Sequence, residues 1–258
     1  MIEVDDLYVS YGEQEVLKGL SLSVKTGETL VILGRSGVGK SVLLKHIIGI
    51  DKPDHGHIKI DGLNICNLNG EAKYQAVLNM GMLFQGAALF DSMNIEDNTG
   101  FYLTQHGDLK NQRRYTKREI KQRVDETLEM VDLAGTQKKM PSELSGGMRK
   151  RAGLARLIAY RPQYLLYDEP TTGLDPITAM QINELIVETQ KKLDATSIVV
   201  THDIVSALFV ADRLALHENG KISCIDTPEV FMKMDNPIIE FLRKTISEDP
   251  RSLRRKTC

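Results

Sequence analysis

Apolar and polar residues alternate over positions 1–25 of the chain, and a period of two predicts β-strands. Turns at Gly12 and at Thr26-Gly27 separate the alternating runs. Residues 30–33 are apolar at every position, which is typical of a strand buried in a parallel sheet. A glycine-rich turn follows, and then segment 41–48, which is apolar on nearly every side and ends at a glycine. The first part of the chain is therefore predicted to contain paired strands, then a buried strand, a turn and a buried helix.

Farther along the chain, segments with helical spacing alternate with short apolar segments. Helical periodicity begins near Phe101 and continues to Tyr160, with one apolar face over 120–131 and another over 148–158. Apolar residues recur at helical spacing again over 182–193. Strands that alternate with helices in this way predict an α/β fold with a parallel sheet. The strand signals of this part are 57–60, 164–167, 197–201 and a hairpin made by 214–217 and 221–225.

Composition and charge exclude several classes of protein. The chain has 258 residues, 26% charged and 41% hydrophobic, with a formal net charge of −2, which fits a folded protein rather than a general nucleic-acid binder. No apolar run approaches the ~18–20 residues that span a bilayer, and the first residues lack the basic start and apolar core of a signal peptide. The three cysteines, Cys66, Cys224 and Cys258, lie too far apart for a metal site or a disulfide framework, so we expect reduced thiols in the cytosol.

The glycine-rich turn matches the phosphate-loop pattern G-x-x-x-x-G-K-[ST] and lies between an apolar strand and a helix, where that loop functions. Glycines allow successive backbone N–H groups to point at phosphate oxygens, and the helix N-terminus adds a positive dipole end. Lys40 would reach the β- and γ-phosphates, and the Ser41 hydroxyl would bind Mg²⁺. The alternative is a glycine-rich turn with a surface lysine. The predicted nucleotide-binding residues here are Gly34, Arg35, Ser36, Gly37, Val38, Gly39, Lys40, Ser41 and Val42.

Two further segments carry charged or anion-binding chemistry. The apolar strand 164–167 ends in Asp168 and Glu169; the first carboxylate can hold Mg²⁺ through water, and the second can act as general base on an attacking water. Two acidic residues at a strand end are also common without a function. The sequence Leu-Ser-Gly-Gly-Met at 144–148 opens a helix, with Ser145 suited to the N-cap and two glycines that leave backbone N–H groups bare. It is a second anion site or simply a capped helix, and one nucleotide cannot obviously occupy both sites.

These motifs together resemble those of ABC-type ATPases, and the likeness covers nearly the whole chain. The family's order is the phosphate loop, a glutamine (Gln85), LSGGM, Asp168-Glu169, Gly-Leu-Asp at 173–175 and a histidine after a strand (His202). The resemblance implies a P-loop NTPase core with a mostly parallel sheet, an antiparallel β subdomain and a helical insertion at about 88–160. It also implies a single domain over 1–235, followed by a C-terminal helix and basic tail over 236–258.

The family pairs two ATPase domains head to tail, so the resemblance implies that Ser145, Gly146 and Gly147 act in trans on the nucleotide of a partner. It implies that Gln85 senses Mg²⁺ and the attacking water, and that Asp175 contacts the partner near the phosphate. His202 would hold the γ-phosphate and orient Glu169, while the other five histidines are assigned to surface or core. Tyr11 would stack on adenine, or else pack on its own sheet as a strand-end tyrosine. The implied site residues are, for catalysis, Glu169, His202 and Gln85, and, for Mg²⁺, Ser41, Gln85 and Asp168.

Longer segments look like the MlaF-type ATPases of Mce-associated lipid transporters: GKSVLLKHIIGI, GMLFQGAALFDSMNIEDN, ELSGGMRKRAGLARLIAY and LLYDEPTTGLDPIT. Val42 stands where most of the wider family has threonine, and Met148 where glutamine is usual. The likeness implies a peripheral protein on the cytoplasmic face of the inner membrane that drives phospholipid or other hydrophobic-molecule transport through a permease. An Mce-domain protein and a small STAS-like regulator are further implied partners. The alternatives are an importer ATPase for a polar nutrient and a non-transport ABC ATPase that acts as a scaffold.

Three surface features each have two interpretations. The apolar stretch after Gln85 is a candidate groove for a permease helix, or ordinary core. The run 110–123 holds seven basic residues and is a membrane-near face or a solvated helix face. The basic tail 251–258 could contact lipid headgroups or a partner, or fray as termini do. The apolar stretch consists of Ala87, Ala88, Leu89, Phe90 and Met93.

Overall fold

The computed structural model of the protein describes residues 1–108 and 113–247. Short 3₁₀ turns lie at Ile65–Asn67 and Pro141–Glu143. The strands are β1 (Ile2–Tyr11), β2 (Gln14–Val24), β3 (Thr29–Leu33), β4 (His55–Ile60), β5 (Leu63–Asn64), β6 (Met80–Leu83), β7 (Tyr164–Asp168), β8 (Thr196–Thr201), β9 (Arg213–Glu218) and β10 (Lys221–Asp226). The helices are α1 (Lys40–Ile47), α2 (Gly70–Val77), α3 (Ile95–His106), α4 (Lys117–Met130), α5 (Gly146–Ile158), α6 (Pro176–Leu193), α7 (Ile204–Val210), α8 (Pro228–Phe231) and α9 (Pro237–Ser247).

The described strands form two sheets. The larger has the order β10-β9-β3-β8-β7-β6, and every pair in it is parallel except the β9–β10 hairpin at its edge. The smaller has the order β2-β1-β4-β5 and is antiparallel throughout. A mostly parallel sheet with a separate antiparallel sheet confirms the predicted α/β fold class.

The apolar core divides into two clusters on opposite faces of the larger sheet. Leu30 and Ile32 of β3 pack with α1 and with the smaller sheet, whereas Val31 and Leu33 face the cluster built from α3 to α7. Both faces of β3 are therefore covered, and each of its five residues is buried. This double burial is the physical reason why the strand before the phosphate loop is a continuous apolar run rather than an alternating one.

The elements that the sequence patterns missed are short or have weak signals. Helix α2 has no buried residue, and β6 consists of Met-Gly-Met-Leu with no β-branched side chain. The glycine in β6 is required by packing, because a Cβ at Gly81 would lie 2.1 Å from Leu157 Cδ1. Helix α3 begins at Ile95, before the expected start near Phe101, because the Asn94 side chain accepts a hydrogen bond from Asp97 N and caps the helix.

Several predictions concern the surface and the end of the chain. Helices α3, α4 and α5 fall within 88–160, and α9 falls within 236–258, while the division into domains stays a prediction. Residues 110–112 of the basic run, Cys258 and the basic tail lie outside the described residues. None of the helices in the described residues has the length and apolar character that a membrane crossing needs. Exposed ion pairs occupy part of the basic run, between Arg113 and Glu119 and between Lys121 and Asp125, as on a solvated face.

Candidate active site

The phosphate loop connects the buried strand β3 to helix α1, and packing fixes a glycine near each end of it. A Cβ at Gly34 would lie 2.9 Å from His217 O, and a Cβ at Gly39 would lie 2.7 Å from Val16 Cγ1. Gly39 also has a φ of 108°, a conformation that strongly favours glycine. No side chain caps α1, so the N–H groups of its first turn remain available to an anion. The loop is thus shaped to receive a phosphate group.

Lys40 lies buried at the mouth of this loop. Its Nζ donates hydrogen bonds to Gly34 O at 2.7 Å and Arg35 O at 3.0 Å, and it lies 3.1 Å from Glu169 Oε1. The side chain is 5% exposed, so the ammonium depends on these partners. A phosphate placed in the loop would offer the same ammonium a stronger, charged acceptor.

Ser41 and Asp168 meet beside the loop. Ser41 Oγ donates a hydrogen bond to Asp168 Oδ1 at 2.8 Å, and Asp168 lies at the end of β7 with its residue 6% exposed. Burial raises the pKa of the Asp168 carboxyl, with the Ser41 hydrogen bond opposing that rise. Two adjacent oxygen ligands fit Mg²⁺, which keeps several waters and uses phosphate oxygens as further ligands. Among the described residues no group of three His, Cys, Asp or Glu side chains could hold a metal, so the Mg²⁺ ligands stay a prediction.

Both carboxylate oxygens of Glu169 have polar side-chain partners beside the phosphate loop. Oε1 faces Lys40, while Oε2 accepts hydrogen bonds from His202 Nδ1 at 2.8 Å and from Thr172 Oγ1 at 3.1 Å. The backbone of Glu169 has a φ of 48°, a left-handed conformation that costs about 1–3 kcal/mol in a non-glycine residue. Its N–H donates to Val200 O at 3.0 Å, which helps to hold this turn in place. The carboxylate is therefore positioned by a strained turn and by two side-chain donors.

A cavity of about 340 Å³ adjoins Lys40, Ser41 and Glu169, whereas Asp168 does not line it. It brings together six of the predicted nucleotide-binding residues and all three predicted catalytic residues. Gly34, Arg35 and Val38 line a separate cavity of about 780 Å³ beside α9, which Ser36 and His202 also line. The predicted residues lining the smaller cavity are Ser36, Gly37, Gly39, Lys40, Ser41, Val42, Gln85, Glu169 and His202.

Thr172 and Lys150 contact the predicted catalytic residues but were not predicted from the sequence. Thr172 donates to Glu169, and Lys150 donates from Nζ to the carbonyl of Gln85 and, at 3.3 Å, to the carbonyl of Glu169. Lys150 therefore links the loop that carries the glutamine to the strand end that carries the carboxylates. In the sequence it stands between Arg149 and Arg151, and nothing in that basic run distinguishes the one buried cation from its neighbours.

A different cavity, of about 390 Å³, contains the predicted anion site at the start of α5. Ser145 caps α5 by accepting a hydrogen bond from Met148 N at 3.3 Å, and a Cβ at Gly147 would lie 2.7 Å from Thr178 Cγ2. Asp175 lines this cavity too, and hydrogen bonds led by that from the Thr178 hydroxyl lower the pKa of its carboxyl. No residue lines both this cavity and the one at Lys40. The two predicted anion sites therefore lie on separate surfaces of the chain.

Tyr11 and the apolar stretch after Gln85 do not line the cavity at Lys40. Tyr11 is 52% exposed at the end of β1, its phenol is close to Asp51, and it does not line the cavity at Lys40, so adenine stacking stays a prediction. In the apolar stretch Ala87 is buried, whereas Ala88 and Phe90 are exposed. The buried Asn98 side chain bonds to both backbone groups of Phe90 and so fixes the stretch.

Comparison with known proteins decides the family. The family model for the ABC transporter matches residues 17–172, which is more than half of the chain. The chain belongs to the ABC transporter family. It carries this family's ATPase cassette, which binds and hydrolyses ATP, so the predicted family, fold class and ATPase activity are confirmed.

Among ABC relatives, the intermembrane phospholipid transport system ATP-binding protein MlaF of Haemophilus influenzae is 40% identical over 244 residues, with 94% of this chain and 90% of that protein covered. The probable ribonucleotide transport ATP-binding protein mkl of Mycobacterium tuberculosis (strain H37Rv) is 41% identical over 238 residues, or 92% of this chain and 65% of that protein. The dimeric post-hydrolysis structure of the ATP-binding cassette MJ0796 with ADP and Pi has a TM-score of 0.80 at 30% identity, covering 88% of this chain and 98% of that one. This chain therefore spans about two thirds of the mkl protein and nearly all of the other two.

Proposed function

We propose that this chain is the ATP-hydrolysing subunit of a transporter that moves phospholipids or other hydrophobic molecules between membranes. In this proposal a head-to-tail homodimer lies peripherally on the cytoplasmic face of the inner membrane and drives an integral permease. The chain would act as a single ATPase domain over 1–235 with a helical subdomain at about 88–160, followed by the C-terminal segment 236–258.

The separation of the two anion-binding surfaces carries the dimer proposal. A nucleotide held at Lys40 leaves the capped N-terminus of α5 without a ligand in the same chain, because no residue lines both cavities. A second copy in reversed orientation would bring Ser145 and its glycines over the phosphates held by the first copy. The dimeric MJ0796 cassette, which shares this fold, supports that arrangement.

In the proposed reaction, the phosphate loop binds and orients the phosphates, and the Lys40 ammonium binds the β- and γ-phosphates. Glu169 accepts a proton from the attacking water, and His202 keeps the carboxylate oriented through its 2.8 Å hydrogen bond. Mg²⁺ would neutralise developing phosphate charge at Ser41, Asp168 and Gln85. The γ-phosphate would be contacted across the dimer by Ser145, Gly146 and Gly147 of the partner. Loss of the γ-phosphate on hydrolysis would therefore loosen the interface.

An exposed surface beside Gln85 is our candidate contact with the permease. Ala88 and Phe90 are exposed on a segment that follows Gln85 directly. Phe90 packs on Phe101 at 4.7 Å between ring centroids and lies under the Arg156 guanidinium at 5.2 Å. A short helix of a permease that presents an apolar side chain would pack on this ring, and its position would then respond to what Gln85 binds.

The lipid substrate is supported by the resemblance to MlaF, whose own name specifies intermembrane phospholipid transport. We further propose an Mce-domain protein and a small STAS-like regulator as partners, which rest on the resemblance of the sequence motifs alone. The similarity to mkl, named for probable ribonucleotide transport, keeps an importer of a polar solute as the alternative. The partner protein distinguishes the two, since the ATPase site is the same in both.

The proposed function can be tested by purifying the tagged chain from its native membranes in mild detergent and analysing proteins and lipids by mass spectrometry. We expect a polytopic permease, an Mce-domain protein and bound phospholipid. A permease for a polar solute, or soluble partners alone, would leave the ATPase assignment in place and contradict the lipid substrate.

The trans arrangement predicts which mixed dimers hydrolyse ATP. Ser145→Arg places a large cation where the partner's γ-phosphate would dock, and Lys40→Ala removes the phosphate-binding ammonium. When the two changes are on opposite subunits, both fall on one composite site and the other site stays intact. When both changes are on one subunit, each composite site has one defect and activity is lost.

These dimers can be prepared with two different affinity tags and compared by steady-state ATPase rate. Ser145→Ala in place of Ser145→Arg controls for loss of the helix cap, which costs about 0.5–2 kcal/mol of stability without adding bulk. Activity in the dimer with both changes on one subunit, and none in the other dimer, would show that each subunit works alone.

A further inference from the structure

Each of the two side chains that donate to Glu169 Oε2 has a polar neighbour in the sequence. His202, which bonds to this oxygen at 2.8 Å, is followed by Asp203. Thr172, which bonds to it at 3.1 Å, is preceded by Thr171, a residue that is 6% exposed. Contacts that hold Asp203 and Thr171 in place therefore also limit where the two donors can lie.

The hydroxyl of Ser206 lies between these two neighbours. Ser206 is a buried residue of α7, and its Oγ donates a hydrogen bond to Asp203 Oδ2 at 2.6 Å. Thr171 Oγ1 lies 3.4 Å from Ser206 Oγ, and the buried Asn183 of α6 donates to it from Nδ2 at 2.8 Å. A serine hydroxyl has one proton, which here goes to the carboxylate, so Thr171 and Asn183 face its two acceptor positions. The Ser206 hydroxyl thus connects three residues that lie outside α7.

The ring of His202 depends on its backbone for its position, because its side chain is 50% exposed and packing holds it incompletely. Residues 201–203, which we call the His202 turn, are closed by a hydrogen bond from Asp203 N to Thr201 Oγ1 at 3.1 Å. One oxygen of the Asp203 carboxylate accepts a backbone N–H at the start of α7 at 3.0 Å, and the other accepts the Ser206 proton. Ser206 therefore ties the His202 turn to α6 and to the segment that follows the catalytic carboxylate.

We infer that Ser206 is a positioning residue for ATP hydrolysis, whose hydroxyl holds His202 against the Glu169 carboxylate. It acts through Asp203 on one side and Thr171 on the other. Neither Ser206 nor these two neighbours line the cavity of about 340 Å³ that adjoins Glu169, so none of them touches the reacting atoms. This inference rests on the roles of Glu169 and His202 in the proposed function.

The test is to measure steady-state ATP hydrolysis and calorimetric ATP titration for Ser206→Ala. Alanine leaves the Asp203 carboxylate without its 2.6 Å donor, so the His202 turn gains freedom to move. We expect kcat to fall about tenfold, as for the loss of one hydrogen bond to a charged group. The Kd for ATP should stay unchanged, because within the described residues Ser206 makes no hydrogen bond to the phosphate loop. Ser206→Thr, which keeps the hydroxyl, should recover part of kcat.

Ser197→Ala is the matched control for the loss of a buried hydroxyl. Ser197 is a buried residue of β8, the strand that leads into the His202 turn, but its Oγ has no hydrogen-bond partner in the part of the chain that the structure describes. The same substitution there should leave both kcat and Kd unchanged. If Ser197→Ala lowers kcat as much as Ser206→Ala does, the contacts of Ser206 are not what matters and the inference is wrong.

A double variant shows whether Ser206 acts through His202. In the His202→Ala background there is no ring left to position, so adding Ser206→Ala should change the single-turnover rate by less than about twofold. A further fall of about tenfold would show that Ser206 acts independently of His202, which contradicts the inference. Thermal unfolding of the same proteins confirms that each rate is measured on folded chains.

Failure of the inference can be told apart from failure of the proposed function. If His202→Ala or Glu169→Gln hydrolyses ATP at the normal rate, the proposed catalytic pair is wrong and the inference falls with it. If both variants are impaired while Ser206→Ala keeps a normal kcat, the catalytic pair stands and the inference alone is wrong.

Discussion

In the Glu169→Gln variant, we expect ATP hydrolysis to fall by about 10²–10⁴-fold while ATP binding persists. An amide has the shape of the carboxylate but cannot accept the proton of the attacking water. Its oxygen can still lie near Lys40, now 3.1 Å from Glu169 Oε1, and can still accept one of the present side-chain hydrogen bonds. The loop geometry that binds phosphates therefore remains, and only the base is lost.

The same variant should accumulate a dimer when ATP is present. In the proposed cycle the γ-phosphate joins the two subunits, and its removal releases them, so a chain that binds but does not hydrolyse stays closed. Light scattering coupled to gel filtration would show twice the monomer mass with ATP and the monomer mass with ADP. The double variant Glu169→Gln with Lys40→Ala should stay monomeric, because it no longer holds the phosphates.

Glu188→Gln is the matched control for the change of charge. Glu188 is an exposed carboxylate of α6 that lies 3.7 Å from Lys192, and its replacement should leave both the rate and the dimerisation unchanged. A normal ATPase rate in Glu169→Gln would show that the base is a different group. If hydrolysis is lost but no ATP-dependent dimer forms, the assignment of Glu169 as the general base stands and the proposed dimer cycle is wrong.

The parts of the site that could be predicted from the sequence are those formed by consecutive residues. The phosphate loop could be recognised because its glycines, Lys40 and Ser41 lie within one turn, whose tight packing against Val16 and His217 permits few other sequences. The strand before it could be recognised because burial on both faces makes it apolar throughout. The same holds for Ser145 with the two glycines that follow it, and for Asp168 and Glu169 at the end of β7.

Contacts between distant segments could not be predicted in this way. His217 ends an apolar run in β9 and was assigned only to surface or core; its position under the loop depends on the register of β9 with β3. Lys150 is 65 residues from Gln85 in the sequence and 19 from Glu169, and only the packing of α5 brings it to both. These residues have ordinary local patterns, so their role depends on the fold rather than on a motif.

The Lys150→Met variant therefore tests whether a contact between distant segments of the chain contributes to catalysis. Lys150 is 6% exposed, and burial lowers the pKa of its ammonium group, opposed by the charges of Asp168 and Glu169. Methionine fills a similar volume but donates no hydrogen bond, so the carbonyl of Gln85 loses the Lys150 donor and the carbonyl of Glu169 keeps only its 3.3 Å bond from Thr172 N. The loss of these two hydrogen bonds costs about 1–3 kcal/mol, which should lower the unfolding temperature by several degrees.

The effect on the reaction should be larger than the effect on binding. Glu169 is in a left-handed turn whose carbonyl Lys150 helps to hold, and a displacement of about 1 Å in a catalytic group can cost 10²-fold in rate. We expect kcat to fall by about 10–100-fold, with little change in ATP affinity, because the contacts of the phosphate loop do not involve Lys150. Steady-state kinetics and ATP titration separate the two quantities.

Lys191→Met, at an exposed position of α6, controls for the loss of a positive charge and should change neither quantity. Lys150→Arg restores donors in the same region and should recover part of the rate if the donor is what matters. A lower unfolding temperature with an unchanged kcat would make Lys150 a purely structural residue. A fall in kcat that is recovered by arginine would instead establish that the contact between α5, the Gln85 loop and the end of β7 positions the catalytic carboxylate.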